Sequence, residues 1–249
     1  MGTLKMTCMI MTLTLSLGCS DKSIFKAADK HDVGDDAAVW MEKGRPAKAI
    51  EILRDALDDE PDDYRLRSLL SAAIAQLYGI DAIGLALKMA ENQAKKASEE
   101  PADGASSNNA IVALFAVLPD ATAANIAGLE EAITELTKIP DESRTKADYF
   151  KLSMLHTSLL GLRTKKFDKD GDGQVSPVEI LSMSDDDAIG IISSLIAGQA
   201  AFSAGSSTGE GSAAAGAQIG AIQAEIDKQD GATSGERLKN YLNKDKAKT

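Results

Sequence analysis

Between Pro46 and Pro61 the chain repeats its apolar residues every three or four positions: Ala49, Ile50, Leu53, Ala56 and Leu57. That period matches the turn of an α-helix and places all five on one face. Proline punctuates both ends. Pro46 sits where a helix starts, since the first turn has no use for its missing N–H. Pro61, after Asp58, Asp59 and Glu60, stops the helix. A face built from alanine and aliphatic side chains needs a second helix against it. The same period recurs through Ala132, Ile133, Leu136 and Ile139, which end at Pro140, and through Phe150, Leu152, Leu155 and Leu159.

Composition points the same way. Hydrophobic residues make up 44% of the 249-residue chain but aromatics only 4%, so the core must close through small and aliphatic side chains. A β-sandwich would want more aromatic and β-branched residues. The expected fold class is therefore all-α, built of stacked antiparallel helical hairpins. The segment from Tyr64 to about residue 97 predicts two more amphipathic helices, with Gly79 near a turn, and "EEPADGASSNN" predicts a loop. The net charge of −11, without a Lys/Arg patch interleaved with aromatics, argues against a nucleic-acid partner.

The first hairpin resembles the tetratricopeptide repeat. Trp40 holds that family's aromatic place on the first helix, Gly44 its turn, Ala49 and Ala56 its small contact positions, and Pro61 its close. The match spans about residues 30 to 63, one repeat length. The resemblance implies further hairpins beside it and a concave face that binds a protein or peptide.

The second specific motif is "DKDGDGQVSPVE", Asp168 to Glu179. Carboxylates stand at its first, third and fifth places (Asp168, Asp170, Asp172), a glycine at the sixth (Gly173) and a glutamate at the twelfth (Glu179). It resembles the EF-hand loop, which wraps alternate oxygens around Ca²⁺. The resemblance names Asp168, Asp170, Asp172, Gln174 (through its carbonyl), Ser176 (directly or through water) and Glu179 as metal ligands. It also makes Phe167 and Val175 core-facing, with Val175 packing on the helical body or on another copy because no second loop exists to pair with it. Ser176 and Pro177 predict a new helix start, and Ser184 caps a further apolar helix.

The N-terminus carries an address. An apolar run from Met6 to Leu17 is too short to span a bilayer and reads as a signal-peptide core. Gly18-Cys19 resembles the lipobox of bacterial lipoproteins, although Ser16 and Leu17 stand in the reverse of the family's order. The resemblance implies lipidation at Cys19 and, through Ser20, an outer-membrane address. Cys8 and Cys19 are the only cysteines, so no disulfide is expected in the mature chain.

The expected organisation is a signal peptide at 1–18, a tether at 19–34, a helical-repeat domain at 35–164, the calcium loop with following helices at 165–203, and a Gly/Ser/Ala-rich segment with C-terminal helices at 204–249. His31 and His156 lack a spacing partner, with His156 expected on a helix as a surface or satisfied core residue. No phosphate-cradling loop, G-x-S-x-G elbow or H-E-x-x-H pattern is present, which points away from an enzyme. Two functions remain: a lipid-anchored, calcium-stapled scaffold for a protein or peptide of the cell envelope, periplasmic or at the cell surface, or a small-molecule carrier or accessory component of a periplasmic solute-uptake system, with the alanine-rich C-terminal helices lining an apolar pocket. A pocket enclosed on all sides favours the carrier, and an open groove the scaffold.

Overall fold

The structure, a computed structural model, describes residues 32–81, 115, 117–172, 175–205 and 223–244. These residues are all-α, with no strand among them. In chain order the helices are α1 (Val33–Glu42), α2 (Pro46–Asp59), α3 (Tyr64–Leu77), α4 (Ala123–Thr137), α5 (Lys146–Lys165), α6 (Pro177–Leu181), α7 (Asp185–Gly205) and α8 (Ser234–Lys244). A single 3₁₀ turn, Asp141–Ser143, joins α4 to α5, and residues 223–227 form one further helical turn. Neighbours in the chain are neighbours in space. α1 packs on α2, α2 on α3, α3 on α4, α4 on α5, α5 on α7, and α8 on both α6 and α7. The signal peptide, Cys19, the tether as far as residue 31, the helix expected after Gly79 and the segment 206–222 lie outside the described residues, and α1 begins at Val33, two residues inside the expected tether.

The turns follow from single residues. α1 ends at Gly44, whose φ of +69° few other residues tolerate. Its N–H donates to the Met41 carbonyl and that of Arg45 to the Trp40 carbonyl, the paired bonds that close a helix C-terminus. α3 ends the same way at Gly79 (φ +79°), with N–H groups of Gly79 and Ile80 bonded to the Gln76 and Ala75 carbonyls. Helix starts are capped as firmly. Asp63 accepts from Leu66 N, Thr122 from Asn125 N and Thr145 from Asp148 N. Each such cap stabilises its helix by about 1 kcal/mol.

The stripe expected on α2 is in place: Ala49, Ile50, Leu53 and Leu57 are buried and Ala56 is partly so. Leu53 and Ile74 meet the core from α2 and α3, Leu129, Leu136 and Ile139 from α4 and its end. Polar ties lock α3 to α4. Ser71 Oγ donates to the Ala132 carbonyl at 2.7 Å, and the half-buried Arg67 pairs with Glu135 at 2.9 Å. Gly128 of α4 lies under the Tyr78 ring so closely that a Cβ there would fall 2.0 Å from a ring carbon.

α5 is the central helix. It is buried on most sides, with Leu152, Leu155, Leu159 and Leu162 in the core together with Ser153, Thr157, Ser158 and Thr164. Thr157, Ser158 and Thr164 donate to carbonyls four residues back, which satisfies their hydroxyls inside the helix. α7 runs antiparallel beside it, because Gly190 meets Arg163, Gly198 meets His156, and Gly205 meets Tyr149. A Cβ at Gly205 would lie 2.8 Å from that of Tyr149, so glycine sets how closely the two backbones approach. Arg163 fastens the joint: it donates to the Gly190 carbonyl, to Ser194 Oγ and to Glu130 of α4. Of the described helices, α7 alone is long and apolar enough to cross a membrane, yet Ile191, Ile192, Leu195, Ala201 and Phe202 are buried inside the bundle.

His156 departs from the expectation of a surface or satisfied core residue. It is half-buried on α5 with Nδ1 lacking a hydrogen-bond partner, and burial followed by the Arg163 charge lowers its pKa to about 4. It is therefore neutral at physiological pH.

The start of α5 is tied to α3 by a buried polar chain. Asp148 accepts from Thr145 N (3.0 Å) and Thr145 Oγ1 (2.7 Å), and also from Ser68 Oγ. Lys151 Nζ donates to that same Ser68 Oγ at 2.8 Å. Burial alone would raise the Asp148 pKa. The hydrogen bonds from Ser68 and Thr145, with the Lys151 charge, outweigh it and hold the group below its ordinary 3.8. A depressed folded pKa means stability that is present above the unfolded value and lost as pH falls through the folded one. Asp148→Asn is therefore expected to cost about 1–3 kcal/mol in urea unfolding at neutral pH. The difference from the parent chain should shrink once pH falls below 3.8. A cost that is flat across that range contradicts this account of the cluster.

Candidate metal centre

The acidic loop is positioned by the two elements that flank it. α5 ends in a turn in which Phe167 N donates to the Thr164 carbonyl and Asp168 N to that of Lys165. Phe167 is buried, as its place before the loop predicts. Val175 is partly buried against the chain's own core, so the question of what it packs on is answered within this molecule. On the far side Ser176 caps α6: its Oγ accepts from Glu179 N, and Glu179 accepts from Ser176 N. Ile180 and Met183 anchor α6 and its exit in the core.

Between these anchors Asp168, Asp170 and Asp172 converge. Each offers a carboxylate oxygen within 4.8 Å of the others, with Asp168 half-buried and the other two exposed. Two oxygens that share an ion at about 2.4 Å can lie no farther apart than about 4.8 Å. The spacing therefore fits a single hard cation. Local hydrogen bonds shape the turn: Asp168 Oδ1 accepts from Gly171 N at 2.9 Å and Asp170 Oδ1 from Asp172 N at 3.2 Å. Gly171 takes a φ of +74°, a glycine the sequence pattern did not single out.

Glu179 is placed differently. It is buried, with Oε1 accepting from Lys169 N at 2.6 Å and Oε2 from Ser176 N at 2.7 Å. Its carboxylate thus bridges the second residue of the loop to the ninth and ties the ends together. The Ser176 backbone and hydroxyl bonds, aided by the Lys169 and Asp170 N–H groups, outweigh burial and hold its pKa at about 2. Ser176 Oγ is engaged as the α6 cap, 3.4 Å from Glu179 N. Gln174, with Gly173, lies outside the described residues. Of the expected ligands the structure gathers the three aspartates around one point and sets Glu179 and Ser176 on the backbone beside them.

The two lysines before the loop are engaged by neighbouring segments. Lys165 Nζ donates to the carbonyls of Phe115, Leu118 and Pro119, at 3.1–3.3 Å. Lys166 pairs with Asp187 at 3.1 Å, which ties the end of α5 to the start of α7. A cleft of about 730 Å³ lined by Asp120, Thr122, Lys165, Asp168 and Asp172 opens beside the loop. All-oxygen, all-carboxylate donors suit a hard divalent cation over a soft one.

Sequence reasoning missed two groups. One is the Ser68–Asp148–Lys151 chain, whose members are 80 residues apart for Ser68 and Asp148 and meet only because α3 touches α5. The other lies at the α1–α2 turn, where Lys43 and Arg45 stand over the Trp40 ring. Their closeness in sequence is a usable signal for that second group.

Calorimetric titration is expected to give saturable uptake of Ca²⁺ with a dissociation constant on the order of 0.1–1 mM, the range of extracellular loops. The double substitution Asp168→Asn and Asp170→Asn should weaken it at least about tenfold, through two lost charged ligands. Equal uptake by parent and variant contradicts the site. Compared with family models, curated proteins and solved structures, the chain finds no match, so its geometry and chemistry alone carry the functional reading.

Proposed function

We propose that the chain is a lipid-anchored, calcium-binding helical-repeat scaffold of the bacterial cell envelope, without catalysis of its own. It presents helical hairpins to a protein or peptide partner, and Ca²⁺ staples two of its helices. The observation that carries the proposal is the convergence of Asp168, Asp170 and Asp172 at the one joint between α5 and α7. Those two helices make the most extensive helix pair of the described bundle. A cation held there neutralises three clustered carboxylates and holds the ends of both helices in register.

A lone loop suits a staple better than a sensor. Sensing loops open in couples. Outside the cytoplasm, calcium near the dissociation constant keeps a single loop largely filled. Lipid attachment at Cys19 would hold the scaffold to the outer membrane, and tetratricopeptide-like stacking would supply its binding face. One groove supports the scaffold over the carrier. The cleft beside Trp40 is open and edged by exposed side chains such as Lys48 and Leu77, the form the scaffold reading expects.

Two measurements test this. Scanning calorimetry of the purified chain should show a melting temperature several degrees higher in millimolar Ca²⁺ than in chelator, the shift expected for a ligand that binds only the folded state. An unchanged melting temperature removes the staple. In cells, Cys19→Ser should move the protein from the membrane to the soluble envelope fraction; retention in the membrane removes the lipid anchor.

A further inference from the structure

The scaffold reading leaves open which surface meets the partner and what chemistry the partner carries. Several of the described cations are spent on carboxylates: Arg67 on Glu135, Arg163 on Glu130, Lys166 on Asp187, Lys239 on Asp185. Lys43 and Arg45 are different. Both are exposed, and among the described residues neither has a carboxylate within ion-pair distance. They stand instead over Trp40, with Lys43 Nζ 5.1 Å and Arg45 Cζ 5.2 Å from the ring centre. An ammonium and a guanidinium that share one indole leave their outward faces to solvent and hold a defined geometry.

The ring and Arg45 border a groove of about 830 Å³, whose lining includes Gly44, Ala47, Lys48 and Leu77, and Lys43 stands at the ring beside it. Trp40 is half-buried and Leu77 is 44% exposed, and with Pro46 and Ala47 they give the lining an apolar part beside its cations and Gln76. The rest of the molecule repels anions, at a net −11. A local positive, aromatic seat on such a surface selects for a small anionic element and disfavours a broad one. An anionic bilayer would bring its whole sheet of charge against the acidic body, whereas a short peptide meets only the seat. Attraction between opposite potentials also speeds and orients such an encounter.

We propose that Trp40, Lys43 and Arg45 form the seat for an acidic peptide segment of the partner protein. Side-chain carboxylates of the segment meet Lys43 and Arg45, and an aliphatic side chain lies in the groove against Trp40 and Leu77. The proposal rests on the scaffold reading and names where its partner docks.

Trp40 is the only tryptophan in the chain, so its fluorescence reports this seat alone. The probe is a short, end-capped peptide of glutamates interrupted by leucines; its controls are the same peptide with glutamines for glutamates, and vesicles of anionic phospholipid. The glutamate peptide should change Trp40 emission saturably, with affinity that falls as salt rises. Lys43→Ser with Arg45→Ser should weaken it about tenfold or more, by loss of two charged contacts, while the variant still melts cooperatively. Both side chains are exposed, and a cooperative melt within a few degrees of the parent confirms that the variant folds.

Four results would overturn the proposal: no emission change with the glutamate peptide, an equal change with the glutamine peptide, a change with vesicles alone, or a change with protein concentration alone, which would make the occupant a second copy. An envelope pull-down separates the two levels. Partner capture that survives in the Lys43/Arg45 variant removes this seat but leaves the scaffold standing. No capture by the parent chain, lipidated and in calcium, removes the scaffold itself.

Discussion

The close approach of α5 and α7 is the constraint on which the rest of the structure depends. Gly190, Gly198 and Gly205 fall at successive two-turn intervals on α7, and each faces a large residue or the backbone of α5. Side chains larger than hydrogen would push the helices apart, and the dispersion contacts of Leu155, Leu159, Ile191 and Leu195 would weaken together. Arg163 is then held where it bonds α4, α5 and α7 at once. A buried α5 in turn gives α3 and α4 something to lie on, and α1 and α2 follow by the same logic of neighbour on neighbour.

The acidic loop gains its meaning from that hairpin. It connects the two helices that pack most fully, and it does so through α6, a helix of five residues. Glu179 joins the loop's two ends through backbone N–H groups, while the three aspartates face a common point. Shape is therefore maintained by one carboxylate and charge is concentrated by three others. In that division the turn is already formed, and the proposed cation would relieve repulsion among the three aspartates. α6 also carries the two most exposed large apolar side chains among the described residues, Val178 at 77% and Leu181 at 81%.

Much of the helical pattern was legible in the sequence because it rests on local chemistry. Pro46, Gly44, Gly79, Ser176 and Ser184 each act within a few residues of themselves, and the structure uses them as turn, cap or start. The buried face of α2 follows from its period alone. The aspartate cluster was legible for the same reason, since its spacing lies within one loop. Tertiary placement was not. Glu179 reads as a ligand from its position, and only the fold reveals that its oxygens are engaged by Lys169 and Ser176 N–H groups. On α7, an apolar run broken only by Ser193 and Ser194 hides that Ile191, Ile192 and Leu195 are buried while Ile189 and Ile196 are exposed, a difference decided by which face meets α5. Ser68, Asp148 and Lys151 look unremarkable until two helices bring them together.

Amide hydrogen exchange with and without calcium tests the central claim most directly, because it locates the effect of the ion along the chain. The account predicts slower exchange in millimolar Ca²⁺ at residues 166–181 and at the adjoining ends of α5 and α7, with α1 to α3 unchanged. Identical exchange in calcium and in chelator, or a change spread evenly over every helix, would contradict a cation-closed joint between α5 and α7.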